Sequence, residues 1–358
     1  IFSLIFFVSF MIGFYLFSPI SHPRRVVLSA NLSTIRRAGV LLCIIGLLPY
    51  ALVSGGRLIG LLNPFNPEGF QYTWFGIEGL NAGPFVNYFK YSINFLIPGI
   101  VIQFAIWLRE RKKTWIVIFW ITLSSLIFLS EAFRYRILLL LIPIGLLWLF
   151  YYKRRPKLVL LLACMLLFIG LNGAISIART SIRGIDVASV ARYSPIQIFT
   201  SSFEEAGVFF TTSVVIHSVP SRFPYIGFEP FTTTVVHPIP RRLMPTKPAG
   251  NYSKRYTDPI YDLGYFSGVT ILGYGEYYLM FGWLSVTAAG LVIGVILRRL
   301  WTWFLWRQYE PLAQSIYLLN SSYLYVVISR GYLPQVIMLY VFTVMPLFFV
   351  YWVLSGRK

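Results

Sequence analysis

Long apolar runs recur along the chain, separated by polar links that are mostly short. Nine of these runs approach the roughly 20 apolar residues that a helix needs to cross the hydrocarbon of a bilayer. They cover residues 1–18, 39–54, 92–108, 114–130, 137–152, 158–176, 278–297, 311–328 and 336–354. The pattern predicts an all-α protein, a polytopic helical bundle embedded in a membrane. The first run has no basic n-region and no cleavage site, so it predicts a transmembrane helix rather than a signal peptide. Because it begins without Met, we expect part of the natural N-terminus to be missing.

One link is far longer than the others and divides the chain into three predicted parts. Residues 1–176 would hold six helices, residues 177–277 a large loop, and residues 278–358 three more helices. Loops of this length without structure are uncommon, and this one is aromatic, Thr-rich and punctuated by Pro, so we expect it to fold. Residues 201–205 carry a doubled S-x-x-E capping signature. The apolar stretch that follows, through Ile216, predicts a short helix in the membrane interface.

Composition supports the membrane assignment and orients the bundle. Only 12% of the residues are charged and 57% are hydrophobic, whereas a soluble domain carries about 25% charged residues. The net charge of +19 comes mainly from Lys and Arg in alternate links, which the positive-inside rule assigns to the cytoplasm. The C-terminus is then cytoplasmic, and residues 177–277 lie outside. Most of the positive charge therefore reports orientation, and no nucleic-acid partner is predicted.

Several arginines lie on the predicted outer face, where the positive-inside rule does not require them. Arg134, Arg136 and Arg330 occupy short turns beside the ends of predicted helices, and Arg179 and Arg183 lie in the long loop. A guanidinium makes planar, bidentate, charge-assisted bonds to phosphate oxygens. We predict that these arginines converge on a pyrophosphate at the membrane surface. The alternative is that they pair with nearby acids or extend towards lipid headgroups.

A proline-rich segment, PIPRRLMPTKP at residues 238–248, offers a second anion site. Proline fixes the backbone and removes N–H donors, so this segment, the Pro-Arg strap, is expected to be stiff and extended. It would present Arg241, Arg242 and Lys247 as an anion clamp, and the alternative is a rigid surface loop. His237 immediately precedes the strap and is a candidate general base.

Two further segments carry aromatic rings and carboxylates. Residues 250–268 contain Arg255 and several tyrosines, among them Tyr256 and Tyr261. Such rings suit stacking on sugars, or a tyrosine belt at the water interface. Glu276 follows at the membrane mouth, where desolvation raises the pKa of a carboxyl unless an Arg pairs with it. It is either a general base or the structural partner of an arginine.

Motifs of soluble enzymes do not occur in the sequence. It contains no G-x-G-x-x-G, Walker A, H-E-x-x-H, G-x-S-x-G or D-x-D pattern. The two cysteines, Cys43 and Cys164, lie in apolar runs and have neither metal spacing nor the spacing of a disulfide framework. We therefore predict no cofactor and no metal site.

The strap and the segment around Glu276 resemble a known family, the Wzy-type O-antigen and oligosaccharide repeat-unit polymerases. Residues 238–248 look like that family's "iPR-x-l-x-P-x-KP" element. LGYGEYYLMFGW, residues 272–283, is similar to its "lgE-x-y-x-nfG" stretch. The turn with Arg134 and Arg136 resembles the family's Arg-containing outer turn, and one large outer loop late in the chain also fits.

This resemblance implies a GT-C-like glycosyltransferase of the bacterial inner membrane that acts on the periplasmic face. Its substrates would be undecaprenyl-pyrophosphate-linked oligosaccharides, with a chain-length regulator and a flippase as protein partners. Catalytic roles would fall to Arg241, Arg242, Glu276 and His237, with Glu204 and Glu205 as further candidate bases. Substrate binding would fall to Arg134, Arg136, Arg179, Arg183, Lys247, Arg255, Arg330, Tyr256 and Tyr261.

Two other functions stay open. An O-antigen ligase, or another lipid-linked glycosyltransferase, would share this architecture and differ in its acceptor. A flippase or transporter would line mid-membrane cavities with charges, whereas the predicted spans are almost free of acids and bases. Because the reactive groups are predicted at just one face of the membrane, the sequence favours an interfacial enzyme.

Overall fold

The structure is a computed structural model of the chain. It describes residues 1–16, 31–53, 86–130, 134–153, 192–202, 207–240, 243–247 and 271–355, together with Tyr252, Arg255, Tyr256 and parts of 157–177. All regular structure in these residues is helical, and they contain no β-strand. The predicted all-α class is confirmed.

The helices of the described residues are numbered here in chain order. They are α1 (Phe2–Leu16), α2 (Leu32–Val53), α3 (Val86–Ser92), α4 (Leu96–Glu110), α5 (Thr114–Ser130), α6 (Arg134–Tyr152), α7 (Pro195–Ser201), α8 (Gly207–Ser218), α9 (Glu229–Val236), α10 (Gly273–Phe281), α11 (Trp283–Leu305), α12 (Pro311–Ser329), α13 (Leu333–Thr343) and α14 (Met345–Ser355). A 3-10 turn, Ile93–Phe95, joins α3 to α4.

Within the described part of the chain, five helical stretches are long and apolar enough to cross a membrane. They are Leu32–Leu52, Tyr88–Glu110, Tyr135–Tyr152, Trp283–Leu305 and Leu333–Ser355. α1 and α5 are apolar but shorter, with 15 and 17 residues. The run at 158–176 is described only in part. A membrane protein with several spanning helices is therefore supported, and the count of nine spans stays a prediction.

Gly282 divides the run that the hydrophobic pattern predicts as one span from residue 278. α10 ends at Phe281 and α11 begins directly after Gly282, which has φ +67° and ψ −142°. Glycine tolerates this left-handed φ without a steric penalty. Ser285 Oγ accepts the Phe281 N–H at 3.0 Å and donates to the Tyr277 carbonyl at 2.5 Å, which replaces helical hydrogen bonds at the break. The spanning helix therefore starts at Trp283, five residues after the start of the apolar run that predicts it.

In the described residues of the long loop, a capping box formed by Ser194 and Gln197 opens α7. Ser201 is the last residue of that helix and its hydroxyl donates to the Ile198 carbonyl, so it ends a helix rather than beginning one. The predicted apolar helix through Ile216 is present as α8. Glu204 and Glu205 lie outside the described residues.

The chain forms two compact units, each described by itself. The first comprises Ile1–Val27, Ala206–Ala313 and Tyr323–Val341. Within it, α1 packs along α11. A Cβ at Gly290 would lie 2.7 Å from the Phe6 carbonyl oxygen, so a small residue is needed there. Such close helix contacts through small residues are typical of membrane helices.

The second unit comprises the rest of the chain. α4 is its central helix, buried at almost every position, and it packs against α2 and α6. A Cβ at Gly99 would lie 2.6 Å from Cys43 Sγ, which fixes glycine at the contact with α2. An ion pair of 2.6 Å between Arg36 and Glu110 joins the same two helices. The three-part division made from the sequence follows membrane topology and stays a prediction.

Candidate functional site

Glu276 lies near the start of α10, in the first unit, and is only 1% exposed. The start of this helix is held tightly against α8. Thr212 Oγ1 accepts the Leu272 N–H at 2.9 Å, and a Cβ at Gly275 would lie 2.6 Å from Thr212 Cγ2. The small residue lets α10 approach α8, and this approach places the carboxyl of Glu276 in the interior.

Two donors from distant parts of the chain meet the Glu276 carboxyl. The hydroxyl of Tyr252, itself 3% exposed, donates to Oε1. The backbone N–H of Leu333 donates to the same oxygen at 2.8 Å. Leu333 is the first residue of α13, and the first N–H groups of a helix have no partner within it. Glu276 therefore acts as a cap for α13.

The protonation of this carboxyl is shifted strongly by its surroundings. Burial raises the pKa of Glu276 from its ordinary value of 4.5 to about 8, and the hydrogen bond from Leu333 opposes the rise. Burial, followed by the charge of Glu276, also raises the pKa of the neighbouring Tyr277. A carboxyl with a pKa near neutrality populates both protonation states, as proton transfer at that pH requires.

An aromatic cluster connects Glu276 to His237, the second predicted catalytic residue in the described part of the chain. The ring of Tyr332 lies 5.2 Å from the ring of Tyr252 and 6.2 Å from the imidazole of His237. His237 is half-buried; burial, with a contribution from Lys247, lowers its pKa below the ordinary value of 6.5. The imidazole is thus neutral at pH 7 and can accept a proton.

The Pro-Arg strap is turned rather than extended in its described residues. The Leu243 N–H donates to the Pro240 carbonyl at 2.9 Å, and the Lys247 N–H donates to the Met244 carbonyl at 3.1 Å. Proline favours such turns because its fixed φ suits their second position. The expectation of an extended strap is therefore wrong for these residues, and Arg241 and Arg242 lie outside the described part.

Lys247 uses its ammonium within the fold. Nζ donates to the carbonyl oxygens of His237 and Ile239, at 2.6 and 3.0 Å. These carbonyls lie at and just beyond the C-terminal end of α9, where positive charge is favourable. These hydrogen bonds hold the C-terminal part of the strap against the end of α9, next to His237.

Arg255 and Tyr256 also make contacts that stabilise the fold. Arg255 forms an ion pair with Glu229, the first residue of α9. The ring of Tyr256 is 6% exposed, within a cluster that includes Val215 and Leu279, and its hydroxyl donates to the Pro224 carbonyl at 3.1 Å. A buried ring offers no open face to a sugar, so this arrangement favours a structural role for Tyr256.

Arg136 belongs to the second unit and is buried, with 4% of its surface exposed. Its Nε donates to Asn94 Oδ1 at 3.0 Å, and the guanidinium lies 5.8 Å from the centre of the Phe128 ring. Arg330 follows α12 in the first unit and donates its N–H to the Val326 carbonyl at 3.1 Å. Arg136 is therefore not a solvated surface side chain, whereas Arg330 is partly buried.

The remaining predicted residues cannot be placed. The backbone of Arg134 begins α6, and its side chain is not described. The other predicted residues outside the described part are Arg179, Arg183, Arg241, Arg242 and Tyr261. The structure therefore brings together Glu276 and His237 from the predicted catalytic set, through Tyr252 and Tyr332.

Tyr252 and Tyr332 were not among the predicted site residues. Tyr332 lies two residues after Arg330 in a short predicted outer turn, and this position could have identified it as a site residue. Tyr252 is one of several tyrosines in its segment, and nothing in the sequence distinguishes it from the others. The described residues contain no group of three His, Cys, Asp or Glu side chains that could hold a metal ion. No protein-family model, curated protein or solved structure matches this chain.

Proposed function

We propose that the protein is a membrane glycosyltransferase that joins undecaprenyl-pyrophosphate-linked oligosaccharide repeat units into a polymer, with Glu276 as the general base. The observation that carries the proposal is the buried carboxyl of Glu276, whose pKa is raised to about 8 by burial. A base of that strength suits the removal of a proton from a sugar hydroxyl during attack. The sequence resemblance supplies the substrate class.

The proposed reaction is a glycosyl transfer without a nucleotide sugar. A hydroxyl oxygen of the acceptor unit forms a bond to the anomeric carbon of the donor, and the bond from that carbon to the pyrophosphate oxygen breaks. The hydroxyl proton passes to Glu276, and undecaprenyl pyrophosphate leaves with the bonding electrons. Because Glu276 is 1% exposed, the hydroxyl reaches it when Tyr252 moves aside, or passes the proton through the Tyr252 hydroxyl.

The departing pyrophosphate accumulates negative charge, which positioned arginines stabilise. We assign this role to Arg241 and Arg242 of the strap, with Arg330 of the same unit as a further candidate. His237, neutral at pH 7 because burial lowers its pKa, is the second candidate base.

The proposal includes a topology. The chain would be a GT-C-like bundle of nine spanning helices in the bacterial inner membrane, with its C-terminus in the cytoplasm and Glu276 facing the periplasm. The alternation of basic links along the sequence supports this orientation. The partners would be the lipid-linked oligosaccharides, a chain-length regulator and a flippase.

The test is complementation of a strain from which the gene has been deleted, with glycans resolved on a gel. Glu276→Gln should abolish long-chain polymer, because the amide keeps the shape of the carboxyl but accepts no proton. Glu310→Gln is the matched control, since Glu310 is also buried, at 5% exposure, at the N-terminus of α12. Normal polymer from Glu276→Gln at normal protein level would refute the assignment of the base.

The same experiment separates the polymerase from an O-antigen ligase. Loss of a polymerase leaves single repeat units attached to the final acceptor. Loss of a ligase leaves long polymer on the lipid carrier and none on the final acceptor. The first pattern supports the proposal and the second replaces it.

A further inference from the structure

The helix α9 is inverted relative to a helix that packs in water. Its buried positions include Thr233, at 8% exposure, whereas Phe231 and Val235 are 50% and 73% exposed. Phe228, immediately before the helix, is 66% exposed. These residues are spaced three, four and seven positions apart, so they form one stripe along the helix. Its apolar stripe thus points away from the protein.

α8 has the same inverted arrangement. Thr211 and Thr212 are buried, at 3% and 0% exposure, while Phe209 and Phe210 are 59% and 65% exposed. A water-facing helix would bury its phenylalanines and expose its threonines, since burial of apolar surface drives folding in water. Two helices of the first unit therefore share a pattern that is favourable in an apolar solvent.

The hydroxyl groups of α8 need no water. Thr211 and Thr212 donate to the carbonyls one turn earlier, at 3.0 and 2.6 Å. Ser213, although exposed, donates to the Phe209 carbonyl at 2.9 Å. On α9, Thr234 donates to the Pro230 carbonyl at 2.6 Å. In hydrocarbon, a polar group must find its partner within the protein, and these hydroxyls meet that condition.

The start of α9 packs against the end of α10, directly before the spanning helix α11 begins. The Ile226 N–H donates to the Leu279 carbonyl at 2.9 Å, in the last turn of α10. The ring centres of Phe228 and Phe281 are 4.8 Å apart. α11, one of the stretches long enough to span a membrane, begins two residues later at Trp283. The exposed stripe of α9 thus starts beside the entry of α11 into the membrane.

Neither helix can span a bilayer. α8 has 12 residues and α9 has 8, which at ~1.5 Å per residue is well short of the ~30 Å of hydrocarbon. Charged groups stand at the ends of α9: Glu229 is paired with Arg255 at one end, and Lys247 binds carbonyls at the other. A short helix with polar ends and an apolar outer stripe suits a position in the plane of the interface.

We propose that α8 and α9 are seated in the lipid of the leaflet in which α11 begins, with Phe209, Phe210, Phe231 and Val235 in contact with acyl chains. The occupant of this surface is the bilayer, because the hydroxyls are satisfied internally and the stripe begins at the level of a spanning helix. The inference does not depend on the chemistry of Glu276.

The experiment is site-directed spin labelling of the full chain in lipid nanodiscs, with Cys43 and Cys164 replaced by Ala. Labels at Phe210→Cys and Val235→Cys report the collision rates with oxygen, which partitions into lipid, and with a water-soluble nickel chelate. Ile296→Cys on α11, 58% exposed, is the lipid reference. Lys112→Cys, in the exposed link between α4 and α5, is the water reference.

The expected result is that the labels at 210 and 235 favour oxygen over nickel, at a depth of roughly 5–10 Å below the headgroup boundary. Nickel access equal to that at Lys112→Cys would overturn the proposal, because the surface would then face water. Shielding from both reagents would also overturn it, because a second protein surface, including a second copy of the chain, would then cover the helices.

Discussion

Glu276 Oε1 accepts the backbone N–H of Leu333 at 2.8 Å, so a side chain of α10 caps the first residue of α13. The two residues are 57 positions apart in the sequence. The same oxygen accepts the hydroxyl of Tyr252. One carboxyl therefore joins three separate segments, and Glu276 has both a proposed chemical role and a structural one.

The amide and alanine variants of Glu276 separate these two roles. Glu276→Gln keeps an oxygen that can accept from Leu333, so its thermal stability should be close to that of the wild type. Glu276→Ala leaves the buried hydroxyl of Tyr252 and the partly buried N–H of Leu333 without an acceptor, and should lower the free energy of unfolding by about 1–3 kcal/mol. Thermal unfolding in detergent, followed by tryptophan fluorescence, measures the difference. Equal midpoints for the two variants would contradict the capping role.

The stability of the protein should depend on pH through Glu276. Its pKa is raised from 4.5 to about 8 in the folded state. Between these values the folded protein holds a proton that the unfolded chain has released, so the free energy of unfolding falls as the pH rises and levels off above about 8. Midpoints measured from pH 4.5 to 9 should show this decline in the wild type. Glu276→Gln is the control and should reduce the slope; an unchanged slope would argue against a raised pKa.

The pH dependence of polymerisation distinguishes the two candidate bases. With Glu276 as the base, activity rises with pH with a midpoint at about 8, because its carboxylate form is the active one. With His237 as the base, the midpoint of the rise lies below pH 6.5, because burial lowers the pKa of the imidazole. We expect the first profile, measured with purified enzyme and isolated lipid-linked oligosaccharide. A midpoint below pH 6.5 would transfer the role to His237.

Tyr252→Phe should shift the pH profile of polymerisation to higher pH. The Tyr252 hydroxyl donates to Glu276, and a hydrogen bond to the charged form of a carboxyl lowers its pKa. Its loss should raise the pKa of Glu276 further and shift the rise in activity to higher pH. Tyr256→Phe is the matched control, since its hydroxyl donates instead to the Pro224 carbonyl. Tyr256→Phe should lose about 1 kcal/mol of stability, and its pH profile of activity should match that of the wild type. If the pH profiles of Tyr252→Phe and Tyr256→Phe shift equally, Tyr252 does not tune the pKa of Glu276.

Gly275→Ala should disturb the site without touching Glu276. The added Cβ would lie 2.6 Å from Thr212 Cγ2, so α8 and α10 must separate, at a cost of about 1–3 kcal/mol. We expect a lower unfolding midpoint and reduced polymerisation. Gly145→Ala on α6, where the new Cβ meets nothing within 4 Å, should leave polymerisation unchanged and should not lower the unfolding midpoint. A tolerated Gly275→Ala would mean that the close approach of α8 is not required.

The sequence identified Glu276 because a lone carboxylate in an apolar, aromatic segment is costly unless it has a purpose. It did not identify the partners of that carboxylate. Tyr252 and Leu333 are 24 and 57 residues away from it, and no local pattern records which tyrosine or which N–H will meet it. The raised pKa was predicted correctly from desolvation, whereas the expected arginine partner was not found among the described residues: a hydroxyl and a backbone donor occupy its place.

The helical fold was predictable because apolar length alone indicates it, while helix ends were not. The hydrophobic pattern continues through Gly282, since Phe281 and Trp283 are both apolar, and only the backbone conformation of the glycine separates α10 from α11. The proline-rich strap was expected to be extended because proline fixes the backbone and removes N–H donors, but proline also favours turns, and local hydrogen bonds decide between the two outcomes. The arginines of the predicted pyrophosphate site are mostly outside the described residues, so that part stays a prediction.

The contacts of Lys247 and Arg255 change the electrostatic field at this surface. A count of formal charges treats them as two cations available to attract an anion from a distance. Arg255 is neutralised at short range by Glu229, and the charge of Lys247 is directed at carbonyl oxygens. The Arg255–Glu229 pair therefore adds no net charge to the long-range potential around α9, whereas Lys247 keeps its unit charge because its carbonyl partners are neutral. Long-range attraction of an anionic lipid carrier should accordingly come from Lys247 and not from Arg255.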